Sequence, residues 1–320
     1  MKNLFVVALM LAAFSSCKKD QLLVSPKTNL ENNLVALKVE KDYLEFRDQK
    51  AMDSVVRILL SMTPQKLDEW ENGLNGFKSY RTIFKEIQAD YNNVNDQQAF
   101  TNFSKKYGGL VQITADSSIT YKLGTPLSSY FINKDGHVKV GDEFREYTAD
   151  NKILVYKGDF GNVSSVKTYS FKKDKGNQIS VSGPFSTGIV SQALYYNSDN
   201  QRRLHVQFWY EQLTPNPPGP ERGTGRFYFI VLQELKRTFG GWRANNTNYY
   251  QNSINWNWTL VDSPLAPIYE GYVGGSISYP NTTGPIFFGM GDFLGTPSQT
   301  SGSASFTTGG VPTTPTFNVY

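Results

Sequence analysis

The 320 residues carry 32 Lys and Arg against 28 Asp and Glu, a formal charge of +4, and a single cysteine, Cys17. One thiol excludes a disulfide within the chain and a thiolate metal cluster. Every Lys and Arg lies at or before Arg243, and beyond it only Asp262, Glu270 and Asp292 are charged, so the clustered cations that phosphates require are missing from the second half and no nucleic-acid partner is expected.

The chain opens with Met1-Lys2-Asn3, an apolar run from Leu4 to Phe14, and then Ser15-Ser16-Cys17. A basic start, an apolar stretch and small residues before a cut mark residues 1–16 as a signal peptide. The apolar run is too short to span a bilayer, since a helix needs about 20 residues to cross a core of about 30 Å. Phe14-Ser15-Ser16-Cys17 resembles the looser lipobox of Bacteroidetes-type lipoproteins. The resemblance implies lipidation of Cys17, with a diacylglyceryl group on its thiol and an acylated amino terminus, and hence a membrane partner through the anchor. Several acyl chains on one residue hold essentially permanently, whereas one chain binds only marginally. Residues 17–28, with Pro26 and mixed charge, read as a lipidated tether. Lys18-Lys19 follow the anchor where aspartate commonly marks inner-membrane retention, and Lys18-Lys19-Asp20 resembles a surface-export tract. The expected location is therefore the outer membrane, on either side of it.

Residues 29–108 show helical spacing, with Leu34, Leu37, Leu44, Ala51, Val55, Ile58, Leu59 and Met62 recurring between charged residues. Thr63-Pro64 starts a second helix, to about Glu71, because Thr caps and Pro at the first position loses no needed hydrogen bond. A third is predicted from Ser79 to about Tyr91 and a fourth from Asp96 to Tyr107, stopped by Gly108-Gly109.

Past Gly109 the period becomes two. In residues 109–187 a β-hairpin is predicted from Ser129 to Asn133 and His137 to Val140 around Lys134-Asp135-Gly136, with strands at Phe144–Tyr147 and Ile153–Tyr156. Residues 188–320 read as a self-contained antiparallel β-sandwich. Leu204, Val206, Phe208 and Tyr210 alternate with Arg203, His205, Gln207, Trp209 and Glu211, the pattern of a half-buried strand. A proline-rich loop follows from Thr214 to Gly225, then a central strand from Phe227 to Leu235 that is apolar on both faces. Further strands are expected near Asn255–Val261, Ile268–Tyr279, Ile286–Phe293, Ser303–Thr307 and Thr316–Tyr320. The fold class is α+β: an N-terminal helical region, a short β-hairpin region and a C-terminal antiparallel β-sandwich.

Thr63-Pro64, Leu67, Trp70, Gly76-Phe77-Lys78-Ser79, Asn133-Lys134-Asp135-Gly136 and Val140-Gly141-Asp142 resemble a group of uncharacterised exported Bacteroidetes lipoproteins. In these a helical N-terminal segment precedes a β-rich C-terminal half. The resemblance implies compartment and layout, and no activity.

Neither histidine, His137 or His205, neighbours a recognisable nucleophile, and no G-x-S-x-G, H-E-x-x-H or P-loop is present. No catalytic residue, metal ligand or cofactor is assigned. A carboxylate pair such as Asp159 with Glu211 can be imagined, but the required separation is a property of the fold. Trp242, Tyr249, Tyr250, Trp256 and Trp258 lie in an Asn-rich window. Trp256 and Trp258 share one face and read as core. Tyr249 and Tyr250 cannot both point inward, which makes Trp242, Tyr249 and Tyr250 the candidate ligand contacts. Asp53-Ser54-Val55 resembles a short acceptor motif for O-linked glycans, which makes Ser54 a candidate modification site. The expected role is a non-catalytic envelope protein that binds a glycan or a partner protein, with its binding surface after Arg243. The rivals are a carboxylate-based polysaccharide hydrolase and a structural part of a surface complex.

Overall fold

The computed structural model describes residues 37–149, 153–157, 179–182, 189–195, 201–212, 224–237, 241–260, 269–282, 285–294, 297–308, 311–313 and 316–319. Cys17 and Asp159 lie outside the described residues, and of Trp256 and Trp258 the backbone alone is described. The protein is mixed α+β and mostly sheet.

The first described element is a hairpin, β1 (Leu37–Glu40) and β2 (Tyr43–Phe46), where helical spacing had predicted a helix. Lys41 takes φ 58° and reverses the chain. Leu37 then pairs with Phe46 and Val39 with Leu44, so apolar residues spaced as on a helix face line up as one strand face.

Four helices follow: α1 (Gln49–Ser61), α2 (Pro64–Asn72), α3 (Tyr80–Asn92) and α4 (Gln97–Tyr107). Each start is capped by a side chain that accepts a backbone N–H: Asp48 from Ala51, Thr63 from Lys66, Ser79 from Thr82 and Asp96 from Ala99. Buried Glu71 ties α2 to α3, accepting from the Ser79 N–H at 2.7 Å and the Ser79 hydroxyl at 2.6 Å.

After α4 comes a small hairpin of β3 (Val111–Ile113) and β4 (Ile119–Tyr121). The predicted strand at Ser129–Asn133 is instead a 3₁₀ turn at Ser128–Tyr130 and a buried segment. Ser128 and Thr125 bond reciprocally there, the Thr125 N–H donating to Ser128 Oγ at 2.7 Å and the Ser128 N–H to Thr125 Oγ1 at 3.1 Å, which tightens the backbone away from extension. The hairpin forms one turn later, between β5 (His137–Val140) and β6 (Glu143–Tyr147), around Gly141 at φ 60°. With β7 (Ile153–Lys157) and β8 (Ile179–Ser182) these strands complete a sheet in the order β1-β2-β5-β6-β7-β8, antiparallel except for β2 with β5.

The rest is antiparallel sheet. One sheet runs β12 (Trp242–Ala244), β11 (Thr224–Lys236), β10 (Arg202–Gln212), β9 (Ile189–Tyr195), with β15 (Ile286–Leu294) also on β11. Another runs β14 (Tyr269–Thr282), β13 (Thr247–Leu260), β16 (Pro297–Thr308), β17 (Val311–Thr313), with β18 (Thr316–Val319) on β16.

Three apolar cores hold these elements. In the first, Met52, Val55 and Leu59 of α1 meet Leu44, Phe46 and Val138, and the same cluster takes in Trp209, Tyr228, Ile230 and Phe287 from the β10–β11–β15 sheet. The expected boundary at 187/188 therefore cuts through a shared core, and the described residues belong to one compact unit. In the second core, Leu204, Val206, Phe208 and Phe229 meet Tyr249, Ile254, Ala304 and Phe306. The third joins Phe84, Ile87 and Tyr91 of α3 to Phe103 of α4 and Val111 of β3. Each fully buried side chain of this size contributes about 1.5–3 kcal/mol. Among the described residues no helix is long and apolar enough to cross a membrane.

Candidate functional site

Strand β10 divides its side chains by parity. Leu204, Val206 and Phe208 enter the second core. The opposite face, which sequence alternation alone would leave to solvent, is covered: Arg203 is 6% exposed, Trp209 8% and Glu211 3%. Asp116 and Ser118 of the β3–β4 turn meet Arg203, Thr125 meets Glu211 and Trp209 joins the first core, and along this face lies a cleft of about 530 Å³. Its floor is Arg203, His205, Gln207 and Trp209 of β10 with Ile230, Leu232 and Glu234 of β11. Its wall includes Gln112, Asp116, Ser118, Thr120 and Tyr121. Phe84 of α3 stacks on Tyr121 with ring centroids 4.1 Å apart and supports that wall from behind.

At one end an ion-pair cluster joins floor to wall. Arg203 Nε donates to Glu234 Oε2 at 2.5 Å, and Arg203 Nη1 to Asp116 Oδ2 at 2.9 Å. Arg203 Nη2 lies 3.3 Å from Ser118 Oγ, and the guanidinium sits 4.3 Å over the Trp242 ring. Partial burial alone would raise the Asp116 carboxyl, but hydrogen bonds from Thr114, Arg203 and Ser118 overcome it and hold it at about 2. Burial raises Glu234 in spite of Arg203. Burial, helped by the Arg203 charge, pushes His205 down to about 4, so its imidazole is neutral at neutral pH. Its Nδ1 lies 3.7 Å from Glu234 Oε2.

Further along β10, outside the cleft lining, Thr125 Oγ1 donates to the Glu211 carboxylate at 2.8 and 2.9 Å, and the Tyr228 hydroxyl to the same group at 3.0 Å. Burial pushes Glu211 up to about 7, against those hydrogen bonds and the Arg226 charge. Between the ends, Gln207 accepts from the Trp209 indole N–H at 3.1 Å, which leaves its amide N–H₂ as a donor beside the cleft.

This arrangement holds hydrogen-bonding groups against apolar walls. The two carboxylates of the cleft lining, Asp116 and Glu234, share one guanidinium. Among the described residues no group of three His, Cys, Asp or Glu side chains is placed to hold a metal ion.

The residues singled out from sequence lie apart from the floor. Tyr249 is a correction: it is fully buried in the second core, where its hydroxyl accepts from the Gln233 N–H at 2.8 Å, so it is not placed as a ligand contact. Tyr250, next along β13, is half-buried, as the alternation of a strand requires. Trp242 is half-buried and supports the Arg203 guanidinium. Ser54 lies within α1, its hydroxyl donating to the Lys50 carbonyl at 2.8 Å. His137 is 4% exposed and packs on Phe144 with centroids 5.0 Å apart. Arg203, Asp116 and Glu234 escaped sequence reasoning. The available signal was the polar parity of β10 and an acidic residue inside an otherwise apolar strand.

No protein family matches the chain, and no curated protein matches it. Among solved structures it is similar to the crystal structure of a DUF4848 family protein from Bacteroides thetaiotaomicron, with a TM-score of 0.32 and 13% identity over 88% of this chain and 100% of that one. At that level neither fold nor activity carries over.

Proposed function

We propose that this is an exported, lipid-anchored envelope protein of the outer membrane that binds a short glycan without catalysis, in the cleft over β10. The two large antiparallel sheets form a β-sandwich in this reading, supported by the core that draws side chains from both. The observation that carries it is the cleft lining: His205 and Gln207 place polar side chains along it while both acidic groups there, Asp116 and Glu234, are tied to Arg203. A cleft of about 530 Å³ falls within the 300–1,000 Å³ or so typical of small-ligand sites. The binding surface in this reading lies on β10 rather than after Arg243. The export and anchor rest on the signal-peptide pattern and on Cys17.

Two measurements test it. Calorimetric titration of the mature protein with short oligosaccharides should show binding that Thr120→Trp, which fills the cleft from its wall, removes and that Tyr250→Ala leaves intact. Glycan binding sensitive to Tyr250→Ala and indifferent to Thr120→Trp would return the site to the β13 surface. For the anchor, Cys17→Ala should abolish labelling by a fatty-acid probe and release the protein from membranes.

A further inference from the structure

The cleft has a direction. Along β10 the floor passes from Arg203 through His205 and Gln207 to Trp209, about 20 Å at about 3.4 Å per residue. The register pairs Arg203 with Glu234, His205 with Leu232 and Gln207 with Ile230, and Ile230 in turn with Phe287 of β15. The floor thus changes from charged to apolar along its length. The wall runs alongside in the same sense. Asp116 and Ser118 contact Arg203 at one end, and Thr125 contacts Glu211 at the other, so Ile119 to Gly124 must span the distance between. Tyr121, backed by Phe84, therefore runs beside the apolar stretch, and Pro126 and Pro285 also line the cleft.

The lining also states the charge of its occupant. The two acidic side chains, Asp116 and Glu234, are balanced by Arg203 and Lys122, and His205 is neutral. Arg203 already contacts both carboxylates, and the Lys122 ammonium donates to the Gly108 carbonyl at 2.6 Å. An anion entering here finds its cations already engaged and would lose hydration without a new partner.

We propose that the ligand is an uncharged glycoside bearing an apolar substituent, its sugar hydroxyls at His205 and Gln207 and its substituent against Trp209, Ile230 and Phe287. This deepens the cleft reading and rests on it. A plain oligosaccharide would set hydroxyls against the apolar end, and a fatty acid would set its carboxylate against the acidic end.

The test is calorimetric titration of the mature protein with octyl glycosides of glucose, galactose and maltose below micelle formation, with the matching methyl glycosides and with octanoate. The expected result is an octyl glycoside that binds at least tenfold more tightly than its methyl counterpart and than octanoate. Thr120→Trp, at a half-exposed wall position, should abolish that binding, and Ile230→Ala should weaken the octyl compound selectively. Equal affinity for octyl and methyl glycosides, with sensitivity to Thr120→Trp, would overturn the substituent while leaving the cleft as a glycan site. Octanoate binding as well as the octyl glycoside would overturn the sugar. Absence of binding by every probe and by plain oligosaccharides would overturn this ligand and the cleft reading together.

Discussion

Replacing Arg203 with Met keeps an apolar stem over Trp242 and removes the guanidinium. The side chains of Arg203 and Glu234 are 7% and 6% exposed, so the change strands a buried carboxylate. Breaking a buried pair from one side costs about 3–5 kcal/mol. The Asp116 arm adds little, since that side chain is 43% exposed and such pairs are worth about 0–1 kcal/mol. At roughly 2–4 °C per kcal/mol for a chain of this order of size, the melting temperature should fall by about 6–20 °C. The loss must depend on pH. Burial already raises Glu234 above the ordinary carboxylate value, and without Arg203 it rises further. A folded-state value above the unfolded one means stability that is full below about 4.3, the unfolded value, and is lost as pH climbs through the folded value. The deficit should therefore be large at pH 7.5 and shrink towards pH 4.5. Adding Glu234→Gln should recover part of it by removing the stranded charge. Thermal and urea unfolding followed by circular dichroism at both pH values measure this. A deficit below about 1 kcal/mol at pH 7.5, or one that does not shrink on acidification, would refute the buried pair.

Glu211 gives an independent pH signature. Its folded-state value of about 7 exceeds the ordinary one, so its contribution is lost as pH rises through 7, and Glu211→Gln should flatten the stability profile between pH 4.5 and 8; an unchanged slope would count against a buried, neutral Glu211. Gly241 takes φ 70°, and an added Cβ would lie 2.3 Å from the Ser117 carbonyl oxygen. Gly241→Ala should cost about 1–3 kcal/mol in urea unfolding, and a neutral result would mean that the β11–β12 turn does not pack on the β3–β4 turn. Tyr249→Phe removes the acceptor of a buried N–H and should cost about 1–3 kcal/mol, while Tyr250→Phe should fall within about 0.5 kcal/mol; equal losses would contradict the opposite placement of the two rings.

Much of the local structure was legible in the sequence because its causes are local. Thr63-Pro64, Ser79 and Asp96 carry their own capping atoms, and α2, α3 and α4 begin there. The two-residue alternation of β10 and the opposed faces of Tyr249 and Tyr250 follow from pleating alone. The hairpin β1–β2 was hidden because Leu37 and Leu44 fit a helix as well as a strand pair, and the distinction is made by pairing with β5, more than ninety residues further on. The strand expected at Ser129–Asn133 was lost to the Thr125–Ser128 bonds, a short-range competition that hydrophobic pattern does not register.

The site shows the same division. Alternation along β10 determines that Arg203, His205, Gln207, Trp209 and Glu211 share a face, and the signal pattern and single cysteine shape the expectation of an anchored, exported chain. What meets that face was decided by tertiary structure alone. Asp116 reaches Arg203 across 87 positions and Thr125 reaches Glu211 across 86, and contacts of that separation are set by how sheets and hairpins stack, which periodicity along a strand does not encode. Periodicity names the two sides of a strand, and only the packed fold determines which of them meets water and which encloses a cleft.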